Sequence, residues 1–202
     1  MDFLSLTPGQ EIGVTIQELL LEKDIITPDE LRQSIDLMDT ITPSQGSRVV
    51  ARAWVDASFK EHLLADAVTA CLDVQIDIKP TPLIVVENTS QIHNVIVCTL
   101  CSCYPRMLVG LPPDWYKSSA YHARVIHEPR KVLKEFGTQL KEHPQITVHD
   151  STADMRYMVL PIRPDNTGNM KEYELAKLVT RDCMIGVKTP GLASHFSGVC
   201  SR

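Results

Sequence analysis

The chain has 202 residues, 44% of them hydrophobic and only 5% aromatic, with a formal net charge of -5 and no basic run. That length supports a buried core, as one domain or as a domain carrying a helical extension, and the core must be mostly aliphatic. The charge gives no electrostatic reason to expect nucleic acid or an acidic membrane surface as partner. No apolar run approaches a membrane span, and the opening MDFLSLTPGQE lacks the positive flank and apolar core of a secretory signal, so a soluble, cytoplasmic protein is expected.

The first seventy or so residues read as helices. Thr7-Pro8, Thr27-Pro28 and Thr42-Pro43 each place a capping threonine before a proline suited to the first helical position. Helices are expected near residues 8–23 and 28–39, with one or two more between 43 and 73. After about residue 74 the texture changes. Leu83-Ile84-Val85-Val86 and Val95-Ile96-Val97 are short β-branched runs on either side of the turn-forming Glu87-Asn88-Thr89-Ser90, so they read as strands. LPPDWY reads as a turn entering a helix that is interrupted at Pro129 and stopped at Gly137. Strands return at QITVH and MRYMVLPI, then a helix over roughly 170–182 and a final strand at CMIGV. The expected organisation is an N-terminal helical arm over residues 1–75 and an α+β body over residues 76–202.

Cys71 and Cys183 each lie in an apolar segment and read as buried structural thiols, while Cys200 lies in a Gly/Ser-containing tail. The other three cysteines fall within six residues, Cys98-Thr99-Leu100-Cys101-Ser102-Cys103. A structural zinc site lacks a second Cys or His pair at matching spacing, an iron–sulfur cluster lacks its fourth cysteine, and a redox pair of Cys98 and Cys101 leaves Cys103 unexplained. Metal, redox and coincidental readings all stay open on spacing alone. If Cys101 and Cys103 bind one metal, the backbone nitrogens of Ser102 and Cys103 lie between their sulfurs, and closing the loops gives one six-membered and two five-membered chelate rings. Cys98 can then approach from below that N2S2 plane. Amide nitrogens bind only when deprotonated, which favours trivalent cobalt or iron over zinc.

Other candidate chemistry is thin. His93, five residues before Cys98 on a strand, points to the opposite face. His122 and His127 are about 140° apart round a helix. His149, Asp150 and Ser151 have the residue types of a triad, but sequence neighbours cannot reach one another as a triad must, and there is no G-x-S-x-G. These side chains read as solvent-facing or capping groups.

With C-T-L-C-S-C the sequence resembles the alpha, metal-binding subunit of nitrile hydratases, and the resemblance extends through VVENTSQIHNVIVCTLCSCYP, GLPPDWYKSSAYHARVIHEPRKVLKEFG and LVTRDCMIGV. Threonine at position 99 is similar to the cobalt version of the motif. The resemblance implies a layered α-β-β-α body and one non-corrin Co(III) per chain, with Fe(III) the less favoured metal. The metal would be held by the sulfurs of Cys98, Cys101 and Cys103 and the amide nitrogens of Ser102 and Cys103. It also implies oxidation of Cys101 to sulfinate and Cys103 to sulfenate, and hydration of a nitrile polarised by the metal, with water or the Cys103 oxygen attacking. The catalytic residues would thus be Cys101, Ser102 and Cys103. A beta-type partner subunit would supply two arginines to the oxidised sulfurs; Arg156 would help bridge the subunits and the helical arm would embrace the partner.

Two positions depart from the nitrile hydratase pattern. Arg106 stands where a tryptophan-containing CYPWP is usual, and Ile162 stands in Leu160-Pro161-Ile162-Arg163-Pro164 where LPQRP is usual. With Tyr104, Arg106 is expected in the substrate pocket, where it makes an apolar wall cationic. The related thiocyanate hydrolase has CYPR in its cobalt-binding gamma subunit and an aliphatic residue at the second position. Nitrile hydration is favoured by the remainder of the chain, and a hydratase for a large polar nitrile or a non-catalytic metal carrier or sensor are further alternatives.

Overall fold

A computed structural model describes residues 8–98, 103–140 and 143–191. It comprises two units, Met1–Ile41 and Thr42–Arg202. In the first, α1 (Pro8–Glu22) and α2 (Pro28–Thr40) form where the Thr-Pro pairs place them. Thr27 and Glu30 build a capping box: the threonine hydroxyl accepts from the Glu30 N–H at 3.2 Å, and the Glu30 carboxylate accepts from the Thr27 N–H at 2.8 Å. Those bonds hold the Glu30 carboxyl below its ordinary range. Ile12, Ile16, Ile35 and Leu37 are 61%, 53%, 49% and 57% exposed, so this unit presents large apolar side chains at its surface.

The second unit begins with α3 (Ser44–Val55), α4 (Ala57–Ala65) and α5 (Ala67–Asp73), three helices where one or two were expected. Two aspartates divide the segment. The Asp56 carboxylate accepts from the Phe59 N–H at 3.0 Å, and that of Asp66 accepts from Val68 and Thr69 at 3.1 and 3.2 Å, so each residue leaves the helical backbone to cap the next helix. Val49, Val50, Leu63 and Cys71 join the same core as the strands. The unit boundary thus falls at Ile41–Thr42, whereas the change of texture in the sequence comes near residue 75.

Two parallel strand pairs form the centre: β1 (Leu83–Glu87) with β4 (Arg156–Leu160), and β2 (Ile92–Cys98) with β3 (Gln145–Ser151). Parallel pairing requires a crossover. The one from β2 to β3 runs through α6 (Arg106–Val109), the 3-10 turn Asp114–Lys117, α7 (Ser119–His127) and α8 (Pro129–Glu135). As expected, Pro129 separates two helices and Gly137, at φ 81°, follows the second. Helices α4 and α5 pack on β1, α7 on β2 and α8 on β3, while β2 also meets β1 and β4. The body is therefore the layered α+β arrangement expected.

The C-terminal expectation is corrected. Instead of a helix over 170–182 and a strand at CMIGV, two short helices form, α9 (Glu172–Ala176) and α10 (Arg181–Ile185). A five-residue apolar run carries no period, and Gly186 decides its conformation: at φ 92° it ends α10 in a Schellman arrangement. The Gly186 N–H bonds to the Cys183 carbonyl at 3.2 Å and the Val187 N–H to the Asp182 carbonyl at 3.0 Å. Among the described residues no helix is long and apolar enough to cross a membrane.

Gly186 also lies directly against β2, where an added Cβ would stand 2.1 Å from the Asn94 carbonyl oxygen. Gly186→Ala should therefore destabilise the fold by at least about 2 kcal/mol, combining backbone strain with a steric clash. Urea denaturation followed by circular dichroism measures it; an unchanged midpoint would contradict the close approach.

Candidate metal centre

The cysteine segment is anchored at both ends. Cys98 is the last residue of β2, opposite Ser151 at the end of β3, and is only 7% exposed; Cys103 is 2% exposed. Thr99, Leu100, Cys101 and Ser102 lie outside the described residues. Beyond Cys103 the buried Tyr104 leads to α6, which approaches α3 so closely that a Cβ on Gly46 would stand 2.6 Å from the Leu108 carbonyl oxygen. Arg106 occupies the first position of α6 and is exposed, while Tyr104 faces the core. Arg156 opens β4 and is half-buried. Its neighbour Tyr157 donates its N–H to the Ser151 hydroxyl at 3.3 Å, so Arg156 stands at the same end of the body as Cys98.

Aromatic side chains are scarce, yet five form one cluster beside the cysteines. Tyr116 meets Tyr104 edge to face with centroids 5.0 Å apart and lies 5.8 Å from Tyr121; Trp115 packs on Tyr121 at 4.8 Å and on Phe136 at 4.6 Å. Residues from position 104 to 136 meet there because the crossover folds back on β2. Nothing in residue spacing announces the cluster; the only hint in the sequence is that so many of a few aromatics fall in this stretch. Burial raises the phenol pKa of Tyr104, Tyr116 and Tyr121, and Cys98, at the end of the strand on which the 3-10 turn and α7 pack, belongs to the same buried cluster. Tyr121 donates to the Ile96 carbonyl at 3.1 Å and Tyr104 to the Val109 carbonyl at 3.5 Å. The Tyr116 hydroxyl, in a residue 1% exposed, makes no hydrogen bond of proper geometry, an omission that costs about 1–3 kcal/mol.

The expected structural thiols are buried: burial pushes Cys71 up to about 12 and raises Cys183. Cys200 lies outside the described residues. The three triad-type neighbours face separate partners: His149 bonds Asn94, Asp150 meets His122 at 3.1 Å, and Ser151 pairs with Cys98.

His93 corrects its expected solvent-facing or capping role. It is 3% exposed, and its Nε2 donates to the Gly186 carbonyl at 2.7 Å, which leaves Nδ1 to accept from the Asn88 amide at 3.3 Å. The Asn88 side-chain oxygen accepts from the Asn94 backbone N–H and side-chain amide at 2.7 and 3.0 Å, and His149 donates to Asn94 Oδ1 at 2.8 Å. A satisfied polar network thus ties the β1–β2 turn to α10 and β3. A nearby cleft of about 320 Å³, lined by Asn88, His93, Ile162, Arg163 and Lys188 among others, includes none of Cys98, Cys103, Tyr104 or Arg106. Ile162 therefore lines that cleft. Arg163 is engaged there in structure, donating to the carbonyls of Trp54 at 3.2 Å and Thr167 at 2.6 Å.

Comparison with known proteins bears on this geometry. The family model for the nitrile hydratase alpha chain matches residues 10–188. The chain belongs to that family. The low-molecular weight cobalt-containing nitrile hydratase subunit alpha of Rhodococcus rhodochrous is 45% identical over 187 residues, covering 90% of each chain. The thiocyanate hydrolase subunit gamma of Thiobacillus thioparus is 39% identical over 191 residues, covering 89% of this chain and 79% of that one. Among solved structures, a double mutant of the Fe-type nitrile hydratase from Comamonas testosteroni Ni1 superposes with a TM-score of 0.82 at 36% identity, covering 96% of this nitrile hydratase alpha-family chain and 100% of the other.

Burial lowers the pKa of both His93 and His149 from the ordinary 6.5. Their neutral forms belong to the fold, so their contribution is complete above about pH 6.5 and is lost as pH falls below it, at up to about 1.4 kcal/mol per pH unit for each histidine. Denaturation midpoints between pH 7.5 and 5 should fall less steeply in His93→Gln than in the unsubstituted chain; parallel slopes would contradict a neutral buried His93.

Proposed function

We propose that this chain is the metal-bearing catalytic subunit of a nitrile hydratase, converting R–C≡N and water to R–C(=O)NH2. The observation that carries the reading is that Cys98, at the end of β2, and Cys103, just before α6, are both buried in one core cluster, in a family whose close relatives are named as cobalt-containing. The orphaned Tyr116 hydroxyl fits a metal-bound sulfur better than a thiol, because a thiolate is the stronger acceptor. Cys98, Cys101 and Cys103 would hold one Co(III) through sulfur, and Ser102 and Cys103 through amide nitrogen, with Fe(III) less favoured. Bound there, the ion supplies a Lewis acid that makes a nitrile carbon electrophilic.

The chain's residues do the rest. Cys101 as sulfinate and Cys103 as sulfenate place oxygens in the site, and the Cys103 oxygen or a water attacks the nitrile carbon. The net change adds the oxygen of water to carbon and both its protons to nitrogen. Oxidised sulfurs are anionic and need cationic donors, which we assign to arginines of a beta-type subunit. Exposed Ile12, Ile16, Ile35 and Leu37 of the first unit supply apolar surface for that subunit, and half-buried Arg156 adds a contact at the cysteine end. The working enzyme is then a hetero-oligomer in the cytoplasm.

Arg106 supports a second reading. It is exposed three residues beyond Cys103, and a cation there suits an anion such as thiocyanate, hydrolysed to carbonyl sulfide and ammonia. A solved thiocyanate hydrolase with cobalt centres superposes with a TM-score of 0.84, while identity to the cobalt nitrile hydratase relative is higher. A metal carrier or sensor would use the same ligands reversibly.

Co-expression with the beta-type subunit should yield about one cobalt per chain that resists mild chelation. The complex should hydrate nitriles, and Cys103→Ala should lower that rate by about 100-fold or more. Turnover of thiocyanate with inert nitriles would reverse the substrate reading; ready loss of cobalt to a chelator would establish a carrier.

A further inference from the structure

Tyr116 is placed by features that give its hydroxyl little choice of position. It lies in the 3-10 turn Asp114–Lys117, after Pro112 and Pro113, and its N–H bonds to the Pro113 carbonyl at 3.0 Å. Its ring is fixed between those of Tyr104, Trp115 and Tyr121, with centroids 5.0, 5.9 and 5.8 Å away. The residue is fully buried, so no rotation of the phenol ring about its own axis brings the hydroxyl to water. The two tyrosines beside it donate to backbone carbonyls, while Tyr116 has no such acceptor. The 3-10 turn packs on β2, whose last residue is Cys98, and Tyr116 and Cys98 belong to one buried cluster. Among the described residues the Tyr116 hydroxyl has no hydrogen-bond partner as it stands.

We propose that the Tyr116 hydroxyl is a positioning group that donates a hydrogen bond to the Cys98 sulfur when that sulfur is a metal ligand. The inference rests on the reading of Cys98 as a ligand. An O–H directed at a metal-bound thiolate draws electron density from the sulfur, which raises the energy of its charge transfer to the metal, and it fixes the sulfur's approach, as outer-shell partners orient other ligands. A tyrosine phenol ordinarily loses its proton only near pH 10, so its O–H is there to donate at neutral pH. The same arrangement explains why the fold tolerates an unsatisfied hydroxyl in its core: its acceptor is completed by the metal rather than by the chain.

The test uses the cobalt-loaded complex with the beta-type subunit and reads the sulfur-to-cobalt charge-transfer absorption and the rate of cobalt release to a chelator. Tyr116→Phe should move the band to lower energy and speed release by about tenfold or more. The same substitution should leave the metal-free chain as stable as before, or more so, because it removes an unpaired polar group. Tyr121→Phe is the control: it deletes the hydroxyl of another buried tyrosine, one with a backbone acceptor, so it should lower stability and leave the band in place. A fluorinated tyrosine at position 116, which keeps the ring and strengthens the donor, should move the band the opposite way, and it serves if Tyr116→Phe does not assemble. An unchanged band and release rate in both Tyr116 proteins would overturn the proposal. A Cys98→Ala complex with the unsubstituted spectrum would instead overturn the ligand reading beneath it.

Discussion

The structure depends on how cysteine sulfur is kept inside an apolar, aromatic wall. A thiol is buried at little cost, as Cys71 shows, with its pKa driven up to about 12. A thiolate in such surroundings needs a cation and hydrogen-bond donors, or it takes up a proton. Cys98 and Cys103 sit in that environment, at the end of β2 and just before α6. Much of the body serves to hold those two ends: the β2–β3 ladder fixes Cys98 opposite Ser151, and the contact of Gly46 with the Leu108 backbone fixes α6.

The first half of β2 shows a different solution to the burial of polarity. There His93, Asn88, Asn94 and His149 satisfy one another and the Gly186 carbonyl. That network is complete within the chain, whereas the buried Tyr116 hydroxyl has no hydrogen-bond partner among the described residues. One strand thus carries a satisfied structural network along its first half and the buried Cys98 at its end. The contrast separates the structural role of His93 from the chemical role assigned to the cysteines.

Some of this was legible in residues alone, because the signals were local. The Thr27 capping box, the break at Pro129 and the stop at Gly137 each depend on a few neighbouring residues. The cysteine spacing drew attention to a metal because few folds need three thiols so close together. What escaped reading was non-local. The partners of β1 and β2 are fixed by long crossovers, the aromatic wall gathers residues from 104 to 136, and His93 finds its acceptor at Gly186, more than ninety residues on. CMIGV was misread as a strand for a local reason: its apolar run outweighed a glycine whose positive φ makes it a helix stop.

X-ray absorption at the cobalt edge of the complex with its beta-type partner addresses the central claim most directly, since it reports the atoms around the metal. The account predicts a low-spin trivalent ion with three sulfur neighbours and two amide nitrogens, and loss of one sulfur in Cys98→Ala. A shell of oxygen and nitrogen alone, or of four sulfurs, would contradict it.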